Sequence, residues 1–303
     1  MVTGYLHAQY SQSLTEFGTP RFLPESGGWI LERPAPNSPY LDAMGCYPLF
    51  ACRDWSRLQT DLENIGTGLI SLSVVTDPFG EYDLTLLRDC FADLVIPFKQ
   101  HFVVDLARKM KRFVRPHHLR NARRAQSTLL VEICASPPDF LNEWTTLYET
   151  LVTRHGITGI AAFSKESFAK QLAVPGVVAL RAMNRETTEG MLLWYVQGDV
   201  AYYHLGAYSA RGYDLRASFA LFSYALEYFA QKGLRWLNLG GASGSEEGQS
   251  SGLSRFKEGW STGTRTAYLC GRIFDQQRYA EATRTSQVAA SDYFPAYRKG
   301  EFG

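Results

Sequence analysis

Alternating strand-like and helix-like segments predict a mixed fold of the α/β (α+β) class, organised as two domains. Two further observations support this reading. At 303 residues and 45% hydrophobic, the chain can fill two cores of roughly 150 residues each. The order strand, helix, strand also occurs in each half.

In the first half, Trp29 to Glu32 and Cys46 to Cys52 are predicted strands. Asp54 to Asn64 is a helix entered through an aspartate cap, and Leu69 to Thr76 is a buried strand. Leu84 to Val95 carries apolar residues at helical spacing, and His101 to Leu106 returns to strand. The stretch Arg108 to Gln126 has helical period but is broken at Arg115-Pro116, because proline lacks an amide donor and drives its predecessor out of the α region. Two helices or one kinked helix should result. Leu129 to Cys134 is the next strand. Ser136-Pro137-Pro138-Asp139 then supplies a cap, a proline at the first helical position and an acid in the first turn. In the helix that follows, Phe140, Trp144, Leu147 and Leu151 share one face. A domain boundary near Ala135 divides the chain into 1–135 and 136–303.

The second half continues with a short helix at Lys165 to Leu172 and strands at Val177 to Met183, Met191 to Val196 and Val200 to Tyr208. The last two meet at the turn Gln197-Gly198-Asp199, which makes an antiparallel meander. The helix Leu215 to Lys232 buries Phe219, Phe222, Leu226 and Phe229 and stops at Gly233, a residue suited to a left-handed cap. Arg235 to Leu239 and Arg265 to Ile273 are the last strands. The crossover from Tyr208 through the helix to Arg235 should set those two strands parallel. Two helices, a meander, a helix and a parallel strand is the element order of the GNAT acyltransferase fold. Tandem GNAT-like domains, with mixed but mainly antiparallel sheets flanked by helices, are therefore expected.

Composition narrows the function. Thirty-one basic and thirty acidic residues leave a formal charge of +1, so any polyanion site must be a local patch. Eight basic residues between Arg108 and Arg124, with Arg120 and Arg124 among them, form the one strong bias. They suit phosphate contacts to tRNA, a nucleotide sugar or a lipid-linked diphosphate, or else a solvated helix face. The five cysteines are odd in number, scattered and never spaced C-x-x-C, which argues against a disulfide framework and a zinc site. A reducing cytoplasm fits them. No apolar run approaches a membrane span of about 18 residues, and the N-terminus lacks the pattern of a secretory leader, so a soluble, unprocessed chain with no integral membrane segment is expected. The motifs of zinc hydrolases, serine hydrolases and P-loop enzymes do not occur.

Three stretches carry a family resemblance. They are His101 to Leu106 followed by the basic helix His118 to Ala125; Leu147-Tyr148-Glu149 with Arg154-His155-Gly156; and Leu237-Asn238-Leu239-Gly240-Gly241 leading to Leu253-Ser254-Arg255-Phe256-Lys257. Over roughly 103–271 the chain resembles the FemAB-like transferases that build peptidoglycan cross-bridges, and the related BioF2-like acetyltransferase domains. The resemblance implies transfer of an aminoacyl group from tRNA, or of an acyl group from an acyl-CoA thioester, to an amine of a small molecule or cell-wall precursor. It implies no tightly bound cofactor and no metal. Lys257 is then placed at the acyl centre, with Arg255, Phe256, Asn238, Gly240, Gly241, Arg120 and Arg124 around the substrate. The helical arm of some cross-bridge enzymes has no counterpart here. The coenzyme A loop of ordinary GNAT enzymes would fall at Ser209 to Asp214, with Arg211 and Gly212 at the diphosphate, but its first and last positions differ from the pattern.

Acyl transfer needs the reactants held together and a donor for the developing oxyanion. Lys257 suits that charge; the alternative is a solvated lysine on a short helix. Strand alternation sets Tyr202, His204, Gly206 and Tyr208 on one face, so His204 and Tyr208 could line a catalytic cleft or simply pack in a core. Glu246 and Glu247 could hold a cationic amine, or form an exposed acidic loop. A non-catalytic ligand-binding protein on the same fold is the alternative to an enzyme.

Overall fold

The structure is a computed structural model that describes residues 1–241, 252–286 and 293–301. It contains two compact units, one of Tyr5–Lys99 with Thr266–Gly303 and one of Met1–Gly4 with Gln100–Arg265. Both are discontinuous, so this division differs from the one expected near Ala135, which falls inside the second unit. Two long strands explain the difference, because each begins in one unit and ends in the other.

In the first unit, α1 (Ala8–Gln12) leads to β1 (Thr19–Leu23), β2 (Gly28–Pro34) and β3 (Leu41–Gly45), each antiparallel to the next. Asp54 accepts a hydrogen bond from Ser56 N at 3.0 Å and starts the short turn that enters α2 (Leu58–Asn64), as expected. β4 (Ser71–Val75) then lies parallel to β3. The strand expected at Cys46 to Cys52 does not form. Pro48 lacks a ladder donor, and within that stretch Phe50 alone bridges to Thr76. α3 (Leu84–Cys90) is shorter than its pattern because Phe91 leaves helical conformation, and Val95 belongs to β5 (Leu94–Asp105). Phe50, Trp55, Leu58, Leu72 and Phe91 are central to this unit's core.

The second unit carries the element order expected of the later half. α4 (Pro116–Gln126) begins at Pro116, where the missing amide costs no helical bond. β6 (Leu130–Ile133), α5 (Leu141–His155) and α6 (Lys165–Gln171) follow. β7 (Val177–Asn184), β8 (Thr187–Gln197) and β9 (Val200–Tyr208) form the meander. The helix expected from Leu215 to Lys232 is α8 (Ala217–Gln231), and a separate short helix, α7 (Ala210–Asp214), precedes it, with Arg216 at a left-handed φ of 58° between them. β10 (Trp236–Gly241) runs parallel to β9 and antiparallel to β5, and α9 (Gly252–Glu258) follows it. The chain then returns to the first unit, where Leu269 to Ile273 of β11 (Gly263–Ile273) pair antiparallel with β4 and α10 (Gln276–Thr285) starts at an Asp275 cap.

Neighbouring residues of β8 show how the sheet is covered in the second unit. Trp194 packs on Phe222 and Phe229 of α8, whereas Tyr195 donates to the Gln171 carbonyl of α6 at 3.0 Å. Successive strand side chains point to opposite faces, so α8 covers one face and α6 the other. α4 lies against the α8 side through Ala122 and Ala125, in a core with Leu221, Leu237, Leu239 and Trp260. Among the described residues, no helix is long and apolar enough to cross a membrane.

Candidate functional site

The parallel strands β9 and β10 part company at a defined point. Their rungs are Val200–Trp236, Ala201–Leu237 and Tyr202–Asn238, after which β9 runs on to Tyr208 and β10 turns away. Asn238 and Gly240 produce the turn. Asn238 Oδ1 accepts the Gly240 N–H at 2.9 Å, Gly240 takes a left-handed φ of 81° that glycine adopts without steric cost, and the register against β5 shifts between Asn238 and Gly241.

Lys257 of α9 reaches this opening. It is 7% exposed, and its Nζ donates to the Gly241 carbonyl at 2.8 Å and stands 5.8 Å from the centre of the Tyr203 ring. A Cβ on residue 240 would lie 3.1 Å from that Nζ, so glycine leaves the ammonium room to approach. Phe256 wedges into the core against Phe219 and Phe222, at 5.0 and 4.9 Å between ring centres. His118 of α4 anchors the same helix: its Nε2–H donates to the Phe256 carbonyl at 3.1 Å, and its ring packs against Phe219 and Trp260. Gly259 makes this fit possible, since a Cβ there would sit 2.2 Å from the imidazole. Burial pushes His118 down to about 4, so it is neutral at pH 7. Arg115 closes the turn with an ion pair to Glu258 at 2.8 Å.

The expected cleft of Tyr202, His204, Gly206 and Tyr208 is divided by a bulge. Tyr203 pairs with Trp194 and Leu205 with Leu193, leaving His204 as an extra residue that breaks the two-residue alternation. Tyr203 and Tyr208 therefore share the α8 face, and their hydroxyls are hydrogen-bonded above Gly206, whose Cβ would lie 2.4 and 3.2 Å from them. Burial raises both phenol pKa values. His204 lies on the other face, with Nε2 3.0 Å from Gln171 Oε1 and its ring near Tyr195 and Phe163. Burial pushes it down to about 3. The structure thus brings Lys257 near Tyr203, a residue sequence reasoning passed over, which is in turn hydrogen-bonded to Tyr208, and sets His204 on the other face.

Arg211 and Gly212 are not arranged as a diphosphate cradle. The Gly212 N–H is taken by Ser209 Oγ at 2.8 Å, Ser209 in turn donates to the buried Glu189 carboxylate, and the Arg211 guanidinium stands 3.8 Å from the same carboxylate. The Glu189 carboxylate thus stands beside the start of α7, and glycine suits residue 212 because a Cβ there would fall 1.9 Å from the Glu189 carbonyl oxygen. Arg120, Arg124 and Arg255 are exposed. Glu246 and Glu247 lie outside the described residues.

His101 is a second residue sequence reasoning missed as a site component. Its Nδ1 is 3.0 Å from Asn238 Oδ1, and both side chains are buried. In the sequence the His101 stretch was legible as a strand and as part of the family resemblance, but its partner lies 137 positions away.

Comparison with known proteins bears on the fold. Residues 108–258 match the family model described as an acetyltransferase (GNAT) domain. FemX superposes with a TM-score of 0.65 at 12% identity, over 90% of this chain and 93% of its own. L-PGS from Bacillus licheniformis gives 0.58 at 15% identity, over 94% and 98%. A conserved protein of unknown function from Bacteroides thetaiotaomicron gives 0.57 at 11% identity, over 88% and 90%. No curated protein matches by sequence. The fold is FemX-like with a GNAT-type domain, as the resemblance implied, and acyl transfer is the general chemistry these findings support.

Proposed function

We propose that the protein is an N-acyltransferase in which Lys257 meets the carbonyl of an acyl or aminoacyl donor where β9 and β10 splay. The observation that carries this reading is the placement of the Lys257 side chain, buried to 7% exposure and bonded to the Gly241 carbonyl at the mouth of the splay. A buried lysine side chain in this position is suited to meet developing negative charge. In the reaction an acceptor amine bonds to the donor carbonyl carbon, and the carbonyl electron pair moves to oxygen beside Lys257. The tetrahedral intermediate then collapses, the bond to the leaving alkoxide or thiolate breaks, and the proton given up by the amine passes to that leaving oxygen or sulfur. A preorganised donor at that oxygen is worth about 10²–10³ in rate.

The closed start of α7 favours an aminoacyl ester such as charged tRNA over coenzyme A as donor, since the loop that would grip a diphosphate is bonded to Glu189. Phosphates of donor or acceptor then meet the exposed Arg120 and Arg124 of α4, and the acceptor is an amine of a cytoplasmic cell-wall precursor. The test is N-acylation measured with charged tRNA and with acyl-CoA donors. Lys257→Ala should lose about 10²–10³ in turnover, with Lys257→Arg keeping part of it. Unchanged turnover in Lys257→Ala would remove the lysine from the mechanism. A native protein that acylates nothing with either donor would instead favour ligand binding without chemistry.

A further inference from the structure

The site contains a buried polar pair that charge stabilisation by Lys257 does not itself call for. Asn238 and His101 are 2% and 6% exposed and stand beside one another on β10 and β5. Leu237 and Leu239 point into the α8 core, so Asn238 faces the other side of the sheet. Its Oδ1 lies 2.9 Å from the Gly240 backbone nitrogen and 3.0 Å from His101 Nδ1. A backbone N–H can only donate, which makes this side-chain atom the amide oxygen, and an amide oxygen can only accept from the histidine as well. Nδ1 therefore carries a hydrogen, which in a neutral ring leaves Nε2 as the acceptor.

Both hydrogen bonds act on the turn that faces Lys257. The bond to Gly240 closes a two-residue loop around its left-handed backbone, and the next carbonyl, that of Gly241, receives the lysine Nζ at 2.8 Å. The bond from His101 holds the asparagine from the neighbouring strand, so the side chain cannot rotate away from the turn. We propose that His101 and Asn238 are positioning residues that lock the Gly240–Gly241 turn and thereby fix where the Lys257 ammonium stands. The catalytic importance of this lock rests on the acyl-transfer reading, whereas the lock itself does not.

Two measurements need no acyl transfer. Long-range ¹H–¹⁵N spectra of histidine-labelled native protein should find His101 as the Nδ1–H tautomer; the Nε2–H tautomer would overturn the proposal. Pulse labelling with an amine-reactive reagent, read by mass spectrometry, should find Lys257 about tenfold more reactive in Asn238→Ala and in His101→Phe, the scale expected when a hydrogen bond to a charged group is loosened. Exposed Lys109 should keep its native rate in both variants, which controls for reagent, and a cooperative urea transition reports that each variant is folded. Asn238→Asp preserves an acceptor for both bonds and should restore near-native protection of Lys257. Native protection of Lys257 in folded Asn238→Ala would overturn the proposal, and should that variant fail to fold, the tautomer in native protein still decides. A chain that acylates no amine would leave these two outcomes unaffected. In an active one, His101→Phe should lower kcat with little change in KM, and a change confined to KM would count against positioning.

Discussion

Acidification tests how firmly α9 is anchored. His118 is 2% exposed, and burial pushes its imidazole down to about 4; its bond to the Phe256 carbonyl opposes the shift, while His117 and Arg115 add to it. His204, walled in by Phe163 and Tyr195, is pushed by burial to about 3. In the unfolded chain each returns to about 6.5. The folded state therefore binds fewer protons than the unfolded state below that value, so this contribution is complete above about pH 6.5 and stability falls as pH drops towards about 4. Between pH 7 and pH 5 the loss amounts to about 2 kcal/mol for each histidine and about 4 kcal/mol for the pair. Urea unfolding at pH 7, 6 and 5 would measure it in native protein and in His118→Gln, which keeps a donor for the Phe256 carbonyl but does not titrate. The variant should lose about 2 kcal/mol less than the native protein over that range, whatever its stability at pH 7. Carboxylates that titrate in the same window are common to both proteins, so the difference isolates His118. Equal losses would refute the assignment of a neutral, buried His118 as the anchor of α9.

Two further outcomes follow from the same geometry. Gly240→Ala should cost about 1–2 kcal/mol in denaturant unfolding, because alanine resists the left-handed backbone at that position and its Cβ crowds Lys257 Nζ; native-like stability would show that the turn has room to relax. All five cysteines are buried, and burial pushes their thiols up, Cys90 to about 11 and Cys46, Cys134 and Cys270 to about 12. The native protein should therefore react slowly with an aromatic disulfide reagent at pH 8 and show all five thiols only after unfolding, and a rapidly labelled native thiol would contradict this packing.

Features governed by local chemistry were legible in the sequence. Pro116 marks the start of α4, Asp54 caps a helix, Gly233 follows α8 with a φ of 78°, and the helical crossover does set β9 and β10 parallel. What escaped depends on strand register or on partners far apart in the chain. Alternation along β9 reads His204 and Tyr208 onto one face, and only the register against β8 reveals the extra residue that separates them. The strand predicted through Cys46 to Cys52 had the right apolar character, but Pro48 and the parting of the chain from β2 deny it a ladder. Gly259 reads as a turn until His118, 141 positions earlier, is found to fill the space its missing Cβ leaves. The same distinction explains the site. The Phe256-Lys257 pair and the glycines after Asn238 identify the acyl-centre candidate because they lie close together in the chain. His204, which alternation sets beside Tyr208, lies on the other face of the sheet, whereas His101, on a neighbouring strand, is a buried histidine whose hydrogen bond leads through Asn238 and Gly240 to the carbonyl that Lys257 holds.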